Sequence, residues 1–166
     1  MRKQYLVILA LAAVALGSRP ALAANTATAT VTATSAPAIS ITNMGVLSFG
    51  WFAKATGISG QVQVTPASVR SVSGGAVLGS GVGIAATFSI AGQPSSTYSI
   101  TLPSSTTITN AGTLTVDNFT STPSGTGTLD VGGSQTLRVG ATLEIPSADP
   151  ALGFFTGTFN VTVAYN

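Results

Sequence analysis

Residues 153–166 read GFFTGTFNVTVAYN, and their pattern indicates how the chain folds. Apolar residues or glycine occupy every second position, and most of the positions between them are Thr or Asn. A period of two is typical of a strand with one buried face. We therefore predict a C-terminal β-strand whose core face carries Gly153, Phe155, Phe159, Val161, Val163 and Tyr165.

The rest of the chain repeats this strand-like character in shorter runs. Segments such as GQVQVT, TYSITL and QTLRVGATLEI alternate or are rich in β-branched residues, and Gly, Pro, Ser and Asn separate them. Short strands at this spacing predict an all-β fold, an antiparallel β-sandwich of the immunoglobulin-like type. No alternation of strands with helices is present, which argues against a parallel doubly wound sheet.

The first residues have the features of an export signal. Arg2 and Lys3 precede the apolar run YLVILALAAVALG, and Ala21 and Ala23 flank Leu22 shortly after it. A charged start, a short apolar run and small residues at the cleavage site predict a signal peptide at 1–23. The alternative is a retained membrane anchor, but the run is short for a membrane span. We expect passage through the periplasm to the cell surface or the medium.

Removal of the signal changes the charge of the protein. Of the 6 basic residues, Arg2, Lys3 and Arg19 leave, and three remain against 4 acidic ones, so the net charge becomes 3 − 4 = −1. The exported chain then carries no basic patch, which argues against nucleic-acid binding. Charged residues make up only 6% of the sequence, and a surface so poor in charge favours association.

The sequence offers little for catalysis or cofactor binding. It contains no histidine and no cysteine, so the common nucleophile pairs and His- or thiolate-ligated metal sites are excluded. Lys54 with a serine is formally a catalytic pair, but serine is too common here for that pairing to be specific. Asp117 and Asp130 favour turn or solvent positions over a calcium site. We expect no enzyme, cofactor or metal.

Two aromatic residues allow two interpretations. Trp51 and Tyr98 lie in strand-like segments, where aromatic side chains mostly pack in the core or at a sheet edge. The alternative is an aromatic platform that binds a sugar ring.

A second alternating run follows the predicted cleavage site. In TATATVTAT the positions Ala27, Ala29, Val31 and Ala33 share one face, and threonines occupy the other. We expect three parts: the signal at 1–23, an N-terminal extension or donor-like strand at 24–36, and a β-sandwich at 37–166. The pattern leaves open whether the extension pairs within one molecule or between two.

The two ends together resemble the pilins of the chaperone–usher class. Those proteins carry a glycine fourteen residues from the C-terminus, alternating apolar residues and a penultimate tyrosine, matched here by Gly153, by Phe155, Phe159, Val161 and Val163, and by Tyr165. The resemblance implies a sandwich that lacks one strand and receives the extension of the next subunit, by strand addition to an exposed edge. It further implies a periplasmic chaperone and an outer-membrane usher as partners. The absence of cysteine and the alanine-rich extension depart from the usual pilin pattern.

Over most of its length, the chain resembles an exported bacterial family known as domain of unknown function 4402. The passages LSFGWFAKATGISGQVQVTPASVRSVSGG, TFSIAGQPSSTYSITLPSS, GTLTVDNFTSTPS and GSQTLRVGATLEIP carry this resemblance in order and spacing. It implies an exported β-sandwich and brings no activity or site residues.

These features predict a structural subunit of a pilus-like or other cell-surface fibre, built from copies of itself or related subunits. Burial of three alanines and one valine supplies roughly 3–5 kcal/mol, against an association cost of about 4–15 kcal/mol. Backbone hydrogen bonds between the strands add about 1 kcal/mol each, which brings the total stabilisation close to the association cost. The alternative is therefore a self-complete monomeric sandwich that acts as an adhesin or carbohydrate-binding module.

Overall fold

The computed structural model describes residues 25–148, 150 and 152–166. The predicted signal peptide at 1–23 lies outside these residues. The chain divides into two units after Thr34, and the larger unit spans Ser35–Asn166. In the described part of the chain, no helix is long and apolar enough to cross a membrane.

Within the described residues, the larger unit contains twelve strands. They are β1 (Ser40–Gly45), β2 (Phe52–Lys54), β3 (Gly60–Val64), β4 (Arg70–Gly74), β5 (Ala76–Leu78), β6 (Ala86–Ala91), β7 (Thr97–Thr101), β8 (Ser105–Thr109), β9 (Thr113–Thr122), β10 (Thr126–Thr128), β11 (Ser134–Ile145) and β12 (Thr162–Tyr165).

The longest strand, β11, organises the main sheet. Its residues 134–139 pair with β6, and its residues 141–145 pair with β3. Strand β9 pairs with residues 138–144 and overlaps both, so it lies on the opposite edge of β11. The sheet continues to β1 beyond β6, to β4 beyond β3 and to β8 beyond β9.

Two smaller sheets complete the unit. One has the order β10-β7-β12, and the other pairs β2 with β5. Every strand pair in the three sheets is antiparallel. The prediction of an all-β fold with antiparallel strands is confirmed.

The core consists of two clusters arranged along β11. The first joins the main sheet to the β10-β7-β12 sheet and contains Ala86, Phe88, Ile90, Tyr98, Ile100, Leu129, Leu137 and Val139. The second lies under β3 and β9 and contains Val62, Ala76, Leu114, Val116, Ala141, Leu143 and Ile145. The half-buried side chains of Leu47 and Phe119 pack against both clusters, so the two are continuous.

Gly140 lies where β11 passes from one partner strand to the next. The register with β9 shifts between Gly140 and Thr142, which marks a bulge. A Cβ at position 140 would collide with the carbonyl oxygen of Val64 and lie 2.6 Å from the carbonyl carbon of Thr65. Both obstacles are backbone atoms that cannot rotate away. Only glycine therefore allows the end of β3 to approach β11 this closely.

We expect Gly140→Ala to lower the free energy of unfolding by about 1–3 kcal/mol or more, because overpacking forces backbone shifts. Urea denaturation followed by circular dichroism measures the change. Gly45→Ala is the matched control, since a Cβ at this strand position meets its nearest atom at an ordinary 3.7 Å. Equal losses of stability in the two variants would contradict this account.

Candidate functional site

The C-terminal segment follows two strands in succession. Near its start, Thr156 and Thr109 exchange backbone hydrogen bonds of 3.0 and 2.8 Å. Further on, Thr106 Oγ1 donates to the carbonyl of Thr158 at 2.8 Å. The segment ends as β12, which pairs antiparallel with β7 from Thr162 to Tyr165. Its terminus is thus held by backbone pairing.

The strand is shorter than the pattern predicts, since only Thr162–Tyr165 form β12. From Phe155 onward, the side chains of the segment nevertheless alternate between half-buried and exposed. Phe155, Phe159, Val161, Val163 and Tyr165 are half-buried, while Thr156, Thr158, Asn160, Thr162 and Ala164 are exposed. Phe155 packs against the second core cluster, and the other four pack against the first.

Gly153 does not share this face and is instead exposed. Its φ of 130° falls where side chains are disfavoured, because it belongs to a bend before the strand-like stretch begins.

Phe159 anchors the row of half-buried apolar side chains, which consists of Phe155, Phe159, Val161, Val163 and Tyr165. Its ring meets Phe88 edge to face at a centroid distance of 6.2 Å and lies 5.0 Å from the ring of Phe119. Aromatic pairs at these separations contribute about 0.5–1.5 kcal/mol beyond their buried area. The row is therefore fixed to the main sheet although its members remain partly open to solvent.

One edge of β12 is unpaired. The N–H of Asn166 donates to the carbonyl of Thr97 at 3.4 Å, so residues 162, 164 and 166 direct their backbone groups toward β7. The alternation of antiparallel pairing then directs those of Val163 and Tyr165 to the other edge. No strand within the described residues pairs there, since β12 ends the order of its sheet.

Strand β1 lies beside this free edge and is itself the last strand of the main sheet. Half-buried Ile39 and Ile41 pack against the first core cluster, as do Val163 and Tyr165 of β12. We call the unpaired edges of β1 and β12, with their half-buried apolar side chains, the open seam. It combines free backbone donors and acceptors with apolar surface, the two features that an added strand uses.

The hydroxyl of Tyr165 holds one end of the open seam together. It accepts a hydrogen bond from the backbone N–H of Gln93 at 2.6 Å and donates to the carbonyl of Pro37 at 3.0 Å. A Cβ at Gly92 would collide with this hydroxyl, so a larger residue there would displace the Tyr165 side chain. The penultimate tyrosine thus ties the start of β1 to the end of the chain. The alternating pattern did not reveal this role.

We expect Tyr165→Phe to lower the free energy of unfolding by about 1–3 kcal/mol, because the partly buried N–H of Gln93 loses its acceptor. Urea denaturation and the exchange rate of the Gln93 amide measure the effect. Ala164→Ser on the exposed face of the same strand is the control, with an expected change within about 0.5 kcal/mol. An unchanged Gln93 exchange rate would contradict the assignment.

The N-terminal run is exposed in the structure. Residues 25–39 form no strand, and Ala27, Ala29, Val31 and Ala33 are all exposed, Val31 to 91%. An isolated apolar side chain on a surface needs no explanation, but these four occupy alternate positions and would share one face if the run paired as a strand.

The two aromatic candidates have different environments. Tyr98 is fully buried in the first core cluster, where its hydroxyl donates to Gln135 Oε1 at 2.6 Å and burial raises its pKa. Trp51 is 76% exposed and lies beside the glycine-rich loop at Gly79. The prediction of core or edge packing is confirmed for Tyr98, which lies in the core, whereas Trp51 lies outside the core at the start of the short β2-β5 sheet.

Arg70 supports the region around Trp51 and was not among the residues predicted from the sequence. Its Nη1 donates to the carbonyl oxygens of Phe49 at 3.0 Å and Trp51 at 3.2 Å, and its Nη2 donates to that of Gly79 at 2.8 Å. No pattern in the sequence marks an arginine whose partners are backbone carbonyls.

The predicted turn position of Asp130 is confirmed. Its Oδ1 accepts from the N–H groups of Ser134 at 2.8 Å and Gly132 at 2.9 Å, and Ser134 Oγ donates to Oδ2. These hydrogen bonds lower the pKa of Asp130, and the one from the Ser134 backbone is the largest cause.

Asp117 accepts a hydrogen bond from Asn118 Nδ2 at 3.1 Å. Among the described residues, no three metal-ligating side chains lie close enough together to hold an ion.

We expect Asp130→Asn to lower the urea midpoint most at neutral pH. A lowered pKa means that the ionised form stabilises the fold above the ordinary pKa of about 3.9, and that this contribution is lost as pH falls through the lowered value. The difference between the parent and the variant should therefore shrink below about pH 4. Urea titrations between pH 7 and pH 2 measure it, and a difference independent of pH would refute the explanation.

Comparison with known proteins identifies the family. Residues 39–165 match the family model described as domain of unknown function (DUF4402), and the chain belongs to this family. The match covers the larger unit from the start of β1 to the end of β12. No curated protein and no solved structure matches the chain.

Proposed function

We propose that the protein is an exported structural subunit of a pilus-like or other cell-surface fibre, assembled by β-strand complementation. The observation that carries this proposal is the open seam. The backbone groups of Val163 and Tyr165 face an unpaired edge there, next to half-buried apolar side chains. A strand from another subunit would pair with these groups and complete the burial of the row.

The N-terminal extension is the strand that fits. It alternates with the same period, and it carries its apolar face unpaired at Ala27, Ala29, Val31 and Ala33. Small side chains suit a seam whose own residues are already half-buried, because only the remaining apolar surface needs cover. The four side chains supply roughly 3–5 kcal/mol and each ladder hydrogen bond about 1 kcal/mol, so the backbone provides a large share of the affinity.

The composition of both strands supports an edge that is meant to be covered. Monomeric β-proteins protect free edges with Lys, Pro or inward charges. Neither residues 153–166 nor residues 24–36 contain a charged residue or a proline. Such edges aggregate when exposed, and regulated pairing with another subunit is the productive alternative.

The same proposal includes the finer fold and the route of assembly. We infer an immunoglobulin-like, pilin-like β-sandwich that is exported by its signal peptide through the periplasm to the cell surface. Its partners are copies of itself or related subunits, and a periplasmic chaperone and an outer-membrane usher would deliver it.

We expect deletion of residues Asn25–Thr34 to leave folded subunits that no longer polymerise, because the donor strand is gone. The paired substitution Ala29→Asp with Val31→Asp should reduce assembly as strongly, since two charges would enter the apolar seam. Thr30→Asp with Thr32→Asp is the matched control on the opposite face and should assemble normally. Electron microscopy and light scattering measure fibre length and mass.

Fibres of normal length from the deletion would exclude strand complementation by this segment. Equal loss of assembly from both paired substitutions would show that charge alone acts, and that the apolar face has no role.

A second function is favoured by one observation, the 76% exposure of Trp51. In this alternative the protein is a self-complete monomeric adhesin or carbohydrate-binding module, with Trp51 as a platform for a sugar ring. A stable monomer whose binding to a glycan array disappears in Trp51→Ala would favour it over the fibre subunit.

A further inference from the structure

The larger unit has two opposite ends, defined by the ends of β11. At the start of β11 lie Gly133, which accepts from the N–H of Gly92, and Tyr165, whose hydroxyl bonds Gln93 and Pro37. We call this the Tyr165 end. With 12 residues, β11 spans about 40 Å at roughly 3.3 Å per residue.

At the other end of β11, the turn after β8 approaches the start of the C-terminal segment. Asn110 Nδ2 donates to the carbonyl of Leu152 at 3.1 Å, and we call this the Leu152 end. Leu152 is 97% exposed and Phe154 is 85% exposed. Phe154 points outward because its neighbour Phe155 faces the second core cluster. Two large apolar side chains that are two residues apart in the chain and almost fully exposed favour a contact surface.

The Tyr165 end carries a shallow depression of about 390 Å³. Its lining includes Ala36, Gln93, Thr97 and Tyr165, which combine apolar surface with polar groups. The adjoining turn presents Val131, which is 92% exposed. The N–H of Ser95, another lining residue, donates to the carbonyl of Asp130 at 3.1 Å and joins the depression to that turn.

The direction of the donor strand determines which ends of two neighbouring copies meet, and this step rests on the proposed function. We take the donor strand as antiparallel to β12, like every strand pair within the unit, so that its last residue, Thr34, lies at the Leu152 end of the acceptor, because β12 runs toward the Tyr165 end. Pro37 of the donor copy is held to its own Tyr165. Three residues of chain span at most about 10 Å. The Tyr165 end of the donor copy must therefore lie against the Leu152 end of the acceptor.

We propose that Leu152 and Phe154 dock in the depression at the Tyr165 end of the next copy of this chain. The contact repeats head to tail along the fibre and does not close on itself. The occupant is a second copy because the short connection from Thr34 to Pro37 leaves no room for another protein between the two ends. The same contact covers two side chains that no described part of the unit covers.

Cysteine cross-linking tests the contact cleanly, because the chain has no cysteine of its own. The double variant Phe154→Cys with Thr97→Cys should give, on oxidation of assembled fibres, a ladder of cross-linked oligomers on a non-reducing gel. Thr120→Cys with Thr97→Cys is the control, since exposed Thr120 pairs with Gly140 near the middle of β11. It should give no ladder.

Fibres that form without the Phe154–Thr97 ladder would overturn this contact and leave strand complementation intact. Cross-linked dimers from Thr97→Cys alone would place two Tyr165 ends face to face and overturn the head-to-tail arrangement. Light scattering that finds only monomers of the parent chain would overturn the proposed function and the contact together.

A second measurement avoids dependence on cysteine geometry. Leu152→Ala with Phe154→Ala should still assemble, because the donor strand and the open seam are unchanged. Its fibres should release subunits roughly tenfold faster or more, since apolar anchors at an interface act mainly on dissociation. Release rates equal to those of the parent fibres would count against the contact.

Discussion

The backbone pairing of β11 is the constraint on which the rest of the larger unit depends. Its residues 139–143 are buried on both faces, and both of its edges are bonded. The position of each neighbouring strand is restricted, because it must match the register of β11 and contribute side chains to one of the two core clusters. Gly140 shows how tight this arrangement is, since even one methyl group there would strike the backbone at Val64.

The periphery is held in a different way. Strand β12 is bonded on one edge only, and its row of apolar side chains is half-buried even though Phe159 anchors it to Phe88 and Phe119. One hydroxyl, that of Tyr165, connects this strand to Gln93 and to Pro37. The unit is therefore fully paired along β11, whereas the strand edges at the open seam are unpaired. The proposed role as a fibre subunit would use both properties, because such a subunit needs a stable core and one edge that can pair with a partner.

Prediction from sequence succeeded where side-chain period and burial coincide. Phe155, Phe159, Val161, Val163 and Tyr165 all pack on the core with the period of two that the sequence shows, although only Val163 and Tyr165 lie in β12. It failed at Gly153, where the chain bends, and it left the environment of Trp51 open, because that environment depends on a glycine-rich loop and on Arg70. Contacts between backbone carbonyls and one side chain leave no periodic trace in a sequence.

By itself, the sequence determined the all-β class, the face of the terminal strand and the exclusion of chemistry that needs histidine or cysteine. These follow from local geometry and from the inventory of side chains. Only the tertiary structure decided which edges stay unpaired, because strand order results from long-range pairing along β11. The same pairing set Leu152 and Phe154 at one end of the unit and the depression beside Tyr165 at the other. Each end is formed by residues that are far apart in the chain, so no local sequence pattern predicts it.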